Sequence, residues 1–310
     1  MDSLGCVAAI IVSFNRRQTL IECLTSLTAQ SRPLDLILVI DNGSTDGTVE
    51  EVQRDFPRVA LELQPYNRGG AGGFSEGVNR ALQAGCDYVW LMDDDVVPDH
   101  QALEKLRDGL DAYPASRRPV LATSLVLDAH QNLGPRNRCV PSRDYAALAD
   151  AAAKGHLAIR ASSFVAPLID LSVSAQTALP IADYFIWHDD TEYTTRVCQH
   201  GGGILVPAST VVHYAAAPAP GKDLGLRLFY DVRNRAWMAR NREIYSLVER
   251  LYWARGLVEL VLTQARVATS KARFARVVVS ALWAARTRPR TEMPYVAASK
   301  DSENALESSA

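Results

Sequence analysis

The chain of 310 residues predicts an α/β fold: a mostly parallel sheet sandwiched by helices, with a C-terminal helical extension. Three observations carry this. Apolar, β-branched runs alternate with polar, helix-compatible stretches through the first 128 residues. Polar residues gather where those runs end. Finally, residues 222–290 are helical in pattern and carry 15 Lys and Arg against 5 Asp and Glu, a local charge of +10 inside a chain whose net charge is −2.

In order, CVAAIIVSF (6–14), LDLILVID (34–41), VALELQ (59–64), DYVWLMDDD (87–95) and VLATSLVLD (120–128) read as buried strands. Helices are expected over Arg17–Gln30, Thr45–Arg54, Gly72–Ala84 and Asp99–Ala112, each preceded by a turn or capping residue such as Asn15, Ser44 or Pro98. Such alternation builds crossovers between parallel strands, with helices on both faces. Residues 129–180 are less periodic and yield only a strand pair. YFIWHDDTEYTTRVCQ (184–199) reads as a strand running into a helix, GILVPASTVVHY (203–214) as a further strand, and Leu224 to Arg288 as two or three helices. The expected division is therefore a sheet domain over 1–220, a basic helical region over 221–290 and a disordered tail over 291–310.

Composition excludes several classes. With 48% apolar and 22% charged residues the chain is neither disordered nor fibrous. Its five cysteines are scattered without a C-x-x-C pair, so neither a disulfide framework nor a zinc site is expected, and a reducing cytosol fits. The first apolar run lacks a basic leader and reads as a strand rather than a signal peptide. No stretch approaches the ~18–20 apolar residues of a membrane span.

In sheets of this kind ligands gather at the carboxyl ends of the strands, which here are SFN, DNGSTD, NRGG and DDD. The stretch NRGGAGGFSEG (67–77) is not a dinucleotide fingerprint, because Ser75 stands where a third glycine is needed, nor a P-loop, because Val78 follows Gly77 in place of lysine. Two readings remain: a helix start opened to an anion, or glycines that permit tight helix-to-sheet packing. Asp93, Asp94 and Asp95 close an apolar strand, either as a solvated turn or as a site where their mutual repulsion invites a divalent cation, with Asp93 and Asp95 on one side. Asp41 is placed to accept from a base or ribose, with Ser44, Thr45 and Asp46 as turn and cap residues. Asp189 and Asp190 enter a helix, where the dipole alone would favour them, or one serves as general base toward a hydroxyl. His213 is either a metal ligand or a core hydrogen-bonder.

SFNR, IDNGSTDGT, NRGGAGGF, DYVWLMDDDVVP, IWHDDTEYTTR and a downstream VVHY together resemble, in order and spacing, the inverting family 2 glycosyltransferases of the GT-A fold, a Rossmann-like sheet. NRGGAGGFSEG followed by VWLMDDD is similar to the bacterial galactofuranosyltransferases, above all the actinobacterial kind that initiates cell-wall galactan. The resemblance spans residues 6–215. It implies a uridine pocket lined by Ser13, Asn15 and Asp41, with Asn67 and Arg68 approaching the nucleotide or its diphosphate and Gly72 against the sugar. It implies Mn²⁺ or Mg²⁺ on Asp93 and Asp95, with Asp94 between them and His213 completing the shell. Asp190 would be the base and Asp189 would position the acceptor or exchange that role, with Trp187 and His188 beside the substrate. His188, inserted between Trp187 and the pair, departs from the Trp-Asp-Asp order of galactan-elongating relatives and leaves the division of labour open.

The implied partners are a UDP-sugar donor, most of all UDP-galactofuranose, and a polyprenyl-diphosphate-linked rhamnosyl acceptor. The alternatives are a dTDP-rhamnose-dependent transferase of the same family and a non-catalytic nucleotide-sugar or lipid binder. A nucleotidyltransferase would need a glycine-rich basic loop after the first strand, which SFNRRQTL does not supply. The basic aromatic helices suit an anionic membrane surface, or else cover the sheet domain with a solvated arginine face. Nucleic acid is disfavoured by the acidic N-terminal region. Peripheral attachment to the cytoplasmic face of the plasma membrane is therefore expected, and an oligomer is compatible with the sequence.

Overall fold

The structure is a computed structural model that describes residues 5–133, 137, 139–214 and 222–293. Its first half follows the alternating pattern. Strand β1 (Val7–Ser13) leads into helix α1 (Arg17–Thr28), β2 (Leu36–Asp41) into α2 (Thr48–Asp55), β3 (Ala60–Leu63) into α3 (Gly69–Gln83), and β4 (Tyr88–Asp93) through a two-residue turn into β5 (Val96–Pro98) and α4 (Ala102–Asp111). Strands β3, β2, β1 and β4 lie side by side and parallel, with Ser13 opposite Asp41 and Val12 opposite Asp93. The polar strand exits after β1, β2, β3 and β4 thus lie along one end of the sheet.

The sheet then extends through mixed pairings, antiparallel except that the sixth and tenth strands of the chain run parallel. Strand β6 (Leu121–Leu127) is followed by β7 (Val140–Pro141), α5 (Tyr145–Ala153), β8 (Leu157–Ala161), β9 (Pro167–Asp170) and the single turn α6 (Leu171–Ser174). After α7 (Asp189–Cys198), β10 (Gly203–His213) completes a ten-stranded sheet in the order β3-β2-β1-β4-β9-β6-β10-β8-β7, with β5 paired to β10. Residues 129–180 therefore hold more than a strand pair. Helix α5 is a run of alanines whose start is fixed by Asp144, the side chain of which accepts from the Ala146 and Ala147 N–H groups.

Both sheet faces are buried. On one, Leu20, Leu24 and Leu27 of α1 pack against Val7, Ala9 and Ile11; on the other, Phe74, Val78 and Ala81 of α3 pack against Ala8, Ile10 and Val12. Each buried large aliphatic contributes about 1.5–3 kcal/mol relative to exposure. The glycines of α3 make this approach possible: a Cβ on Gly73 would lie 2.5 Å from Val12, and one on Gly77 would collide with Ile10.

Several sequence expectations are corrected. Helix α3 begins at Gly69 rather than Gly72, and α2 at Thr48, because residues 43–46 form a loop closed by Asp46 on Thr48. Asp93 and Asp95 do not share a strand: Asp93 ends β4, and Asp94 and Asp95 make the turn into β5. Residues 184–188 are not a strand but a 3-10 turn (Ala182–Tyr184) followed by Phe185, Trp187 and His188 in the left-handed region. Cys6 and Cys86 are paired as a disulfide where none was expected, because Cys6 immediately precedes β1 and Cys86 lies two residues before its partner β4. Of the expected tail, residues 294–310 lie outside the described residues.

The basic segment forms α8 (Leu228–Arg240), α9 (Leu247–Val267) and α10 (Lys271–Ala284). Ser246 and Glu249 build a reciprocal capping box at the start of α9. Trp237 and Met238 of α8 pack with Ala71, Ile181 and Tyr184, and Glu249 pairs with Arg160 of β8, so the helices are seated on the sheet domain. No helix among the described residues is long and apolar enough to cross a membrane.

Candidate active site

Three chain segments converge at the end of β4. Asp93 ends β4 and Asp95 lies in the turn after it, and the antiparallel pairing of β5 with β10 sets His213 opposite Val96, beside Asp95. One ligand atom from each of Asp93, Asp95 and His213 lies within 4.8 Å of the others. His213 Nε2 is 3.0 Å from Asp95 Oδ1, while its Nδ1 is 2.6 Å from the Asn137 amide, which orients the ring. Arg16, directly after the first polar strand exit, pairs with Asp95 and lies 3.9 Å from Asp94.

The carboxyls respond differently to this crowding. Burial and the Asp95 charge push Asp93 up to about 6, and Asp190 adds to the rise. Burial and Asp93 push Asp94 up to about 7. Burial also acts on Asp95, but its contacts with His213 and Arg16 outweigh it and hold that carboxyl below the ordinary range. Two carboxylates and an imidazole this close, with one carboxyl raised by its neighbour's charge, fit a hard divalent cation. Asp94 points elsewhere, its Oδ2 3.4 Å from the Phe14 N–H.

The neighbouring strand exits form the floor. Asp41 is buried; its Oδ2 accepts from the Gly43 and Ser44 N–H groups, while Oδ1 is buried without a hydrogen-bond partner among the described residues. Ser13 is buried beside it by strand register. Asn15 plays a structural part, since its Oδ1 accepts from Thr45 and its N–H donates to Ser44, which ties the two strand exits together. Asn42, which sequence reasoning missed, is buried and bridges Arg68 N and Gly69 O. Only its place directly after Asp41 could have marked it.

The glycine stretch resolves mainly as packing. Asn67 Oδ1 caps Gly69 N at 2.7 Å, and the Ala71 N–H donates to Phe185 O at 3.2 Å, so two donors at the start of α3 are already engaged. Gly69 has φ +73°, and a Cβ there would strike the Phe185 carbonyl. Gly72 faces the Arg68 side chain. The Arg68 guanidinium lies 3.3 Å from Gln64 Oε1 and 3.8 Å from Glu76.

Asp189 and Asp190 open α7, and the charge of each interacts with that of Asp93. Both are raised, first by burial; for Asp189 the Asp190 charge follows, whereas Thr191 and His188 temper the rise at Asp190. Asp189 is the more buried, and Asp190 Oδ1 accepts from the Thr191 N–H at 2.6 Å. Trp187 and His188 precede them in left-handed conformation. The His188 ring turns toward the C-terminal helices, with Nε2 2.9 Å from Asp231 and its edge against Trp253. Asp231, Arg233 and Asn234, which contact residues 183–188, read in the sequence only as parts of a basic amphipathic helix.

Comparison with known proteins agrees with this geometry. Residues 8–117 match the family described as glycosyl transferase family 2. Over 198 residues the chain is 31% identical to galactofuranosyltransferase GlfT1 of Mycobacterium tuberculosis (strain H37Rv), covering 63% of this chain and 65% of that protein. Among solved structures, S. aureus TarS superposes with a TM-score of 0.54 at 15% identity, over 86% of this chain and 44% of that one. GalNAc-T7 with UDP, GalNAc and Mn²⁺ does so with a TM-score of 0.54 at 13% identity, over 82% of this chain and 55% of that one. The fold is thus that of the GT-A glycosyltransferases. With the acidic turn and the paired strand exits in agreement, residues 8–117 of this chain are similar in sequence to glycosyl transferase family 2.

Proposed function

We propose that the protein is a metal-dependent inverting glycosyltransferase that moves galactofuranose from UDP-galactofuranose to a polyprenyl-linked rhamnosyl acceptor. The observation that carries the reading is the convergence of Asp93, Asp95 and His213, with the charge of Asp190 acting on Asp93. Mn²⁺ or Mg²⁺ held by these three groups would neutralise the charge developing on the departing diphosphate. The unpartnered Asp41 Oδ1, with Ser13 beside it, is an acceptor for the N–H of a uracil ring. Its burial makes that bond selective, since a mismatched base would leave the carboxylate oxygen unsatisfied.

Asp190 takes the proton from the acceptor hydroxyl. Its raised carboxyl suits this, because a base is most effective when its pKa approaches the working pH. Asp189, more deeply buried, orients the acceptor beside it. Attack from the Asp190 side and departure from the side of Asp93 and Asp95 make a single displacement, which inverts the anomeric carbon. The galactofuranose assignment is supported by the GlfT1 relative; because the chain spans 65% of that protein's length, donor and acceptor are assigned here only as a proposal.

Peripheral membrane attachment at the cytoplasmic face belongs to the same reading. An open cavity of about 550 Å³ is lined by Leu226, Phe229, Tyr230, Arg273, Arg276 and Val277, and Leu247, Val248, Leu251, Tyr252 and Val258 of α9 are exposed. Apolar and guanidinium groups presented together suit lipid chains and phosphates.

The deciding experiment offers a panel of UDP- and dTDP-sugars, with and without Mn²⁺, together with a rhamnosyl-terminated lipid acceptor. Transfer from UDP-galactofuranose alone, dependent on metal, is expected. Transfer solely from dTDP-rhamnose would reassign the donor, and absence of any turnover would leave a binding protein. Failure to bind anionic liposomes at low salt would remove the membrane assignment.

A further inference from the structure

We infer that Asn234 is a positioning residue, which sets the direction of the Asp189–Asp190 pair by holding the backbone of residues 184–187 from the neighbouring helix α8. This rests on the reading of Asp190 as the base.

The segment before α7 is unusual for its composition. Phe185, Trp187 and His188 all have positive φ, at 62°, 67° and 70°, in a stretch without glycine. Bulky aromatic residues do not adopt this backbone unaided, so surrounding contacts must hold it. Among the described residues no strand pairs with this segment; the Tyr184 carbonyl accepts from the Ile186 N–H at 2.7 Å, and those of Ile186 and Trp187 need donors from outside it. Asn234 supplies them. Its side chain is fully buried, and Nδ2 lies 3.0 Å from Tyr184 O, 2.9 Å from Ile186 O and 2.9 Å from Trp187 O.

The orientation of the amide follows from its surroundings. Three carbonyl oxygens on one side call for the NH₂ group, whose two N–H bonds reach all three with one of them shared, and on the other side Oδ1 accepts from Arg233 Nε at 3.1 Å. Arg233 Nη2 adds a bond to Tyr184 O at 3.1 Å. A second tie one turn away joins the segment's last residue: His188 Nε2 meets Asp231 Oδ1 at 2.9 Å, and Arg235 fixes that carboxylate at 2.7 Å. The Phe185 ring stacks on Tyr230 of the same helix, with centroids 4.7 Å apart. Helix α8 therefore grips residues 184–188 by backbone and side chain, and the first residues released from that grip are Asp189 and Asp190. The Phe185 carbonyl also accepts from Ala71, so the same segment touches the start of α3 on the donor side.

Asparagine suits this position, because its amide presents donors to the loop and an acceptor to Arg233. Aspartate has the same shape and no donor, so it would set an oxygen against three carbonyls.

The test compares the wild-type protein with Asn234→Asp and, should that variant fold poorly, Asn234→Ser, which keeps one donor. Asp231→Asn probes the second tie. Steady-state transfer, calorimetric binding of uridine diphosphate with Mn²⁺, thermal melting and hydrogen exchange of the peptide spanning 183–190 are measured on each. The expected result is a kcat lowered about 10- to 100-fold by the misdirected base, with nucleotide affinity within about twofold. Exchange across 184–190 should quicken while β1 and β4 stay protected. Asp231→Asn should move both readouts the same way by less. Unchanged turnover, unchanged exchange in the segment, or acceleration spread evenly over the sheet would each overturn the inference. Should the wild-type protein transfer no sugar at all, the catalytic reading falls, and the exchange data alone decide whether Asn234 holds the segment.

Discussion

The imidazole of His213 and the carboxylate of Asp95 face each other at 3.0 Å because the last residue of β10 pairs with the first of β5. A strand register, rather than a flexible loop, therefore delivers the third group to the acidic turn. Preorganisation of this kind lowers the cost of gathering ligands when a cation binds.

Removing a member of the trio should abolish metal-dependent nucleotide binding. His213→Ala and Asp95→Asn are expected to weaken Mn²⁺-dependent binding of uridine diphosphate by more than the about 10- to 100-fold typical of a residue that merely supports a ligand. Calorimetry reads this directly, and wild-type affinity in either variant would refute the assignment.

Acidity should separate the metal-free from the metal-bound protein. Asp93 and Asp94 sit at about 6 and about 7, above the ordinary carboxylate range, because of burial first and neighbouring carboxylates second. The folded state thus retains protons that the unfolded chain has released between pH of about 4 and 7, so these two groups make metal-free stability fall as pH rises through that window. Of the two, Asp93 belongs to the metal trio; Mn²⁺ needs it ionised, and should raise the melting temperature at pH 7.5 but hardly at pH 5. An equal rise at both values would contradict the site.

The two aspartates of α7 should not be equivalent. Asp190→Asn is expected to lower kcat about 10²- to 10⁴-fold, the range for loss of a general base, with donor binding retained. Asp189→Asn should act mainly on the acceptor KM. The reverse pattern in initial-rate measurements would exchange the two roles.

The glycines of α3 differ in what they tolerate. Gly77→Ala places a methyl against Ile10 and should destabilise the fold by about 1–3 kcal/mol despite alanine's better helix propensity. At Gly70 the nearest atom to a new Cβ is 4.0 Å away, so Gly70→Ala should be neutral or stabilising by up to about 1 kcal/mol. Urea unfolding of both distinguishes packing from phosphate contact as the reason for the glycines.

Much of the donor side is legible in the sequence, because it is written locally. Five strand runs end in polar residues, and once parallel pairing is inferred, Ser13, Asp41 and Asp93 must lie along one edge. His213 can be placed beside them only as a motif, since the pairing of β5 with β10 is not visible in either segment alone. The glycine stretch points to phosphate more strongly than the structure bears out: Asn67 and Phe185 O occupy its first donors, and Phe185 is remote in sequence. YFIW reads as a strand because its residues favour extended structure, yet Asn234 supplies the donors that a neighbouring strand would have given. Neither Asn234 nor Asp231 carries a local signal, because each acts on a segment more than forty residues earlier in the chain. The alanine-rich helix α5 and the Cys6–Cys86 pairing escape sequence reading for related reasons, one lacking apolar periodicity and the other depending on the separate strands β1 and β4.

The seating of α8 on residues 183–188 has a practical corollary for anyone handling this protein. A fragment ending near residue 220 would contain every acidic group of the proposed reaction and still leave the carbonyls of Ile186 and Trp187 without the Asn234 amide. Such a trimmed version should keep its grip on nucleotide and manganese while forfeiting turnover. On this reading the protein is not modular at that boundary, and shortened expression products would mislead if silence in an assay were taken as the wrong choice of sugar.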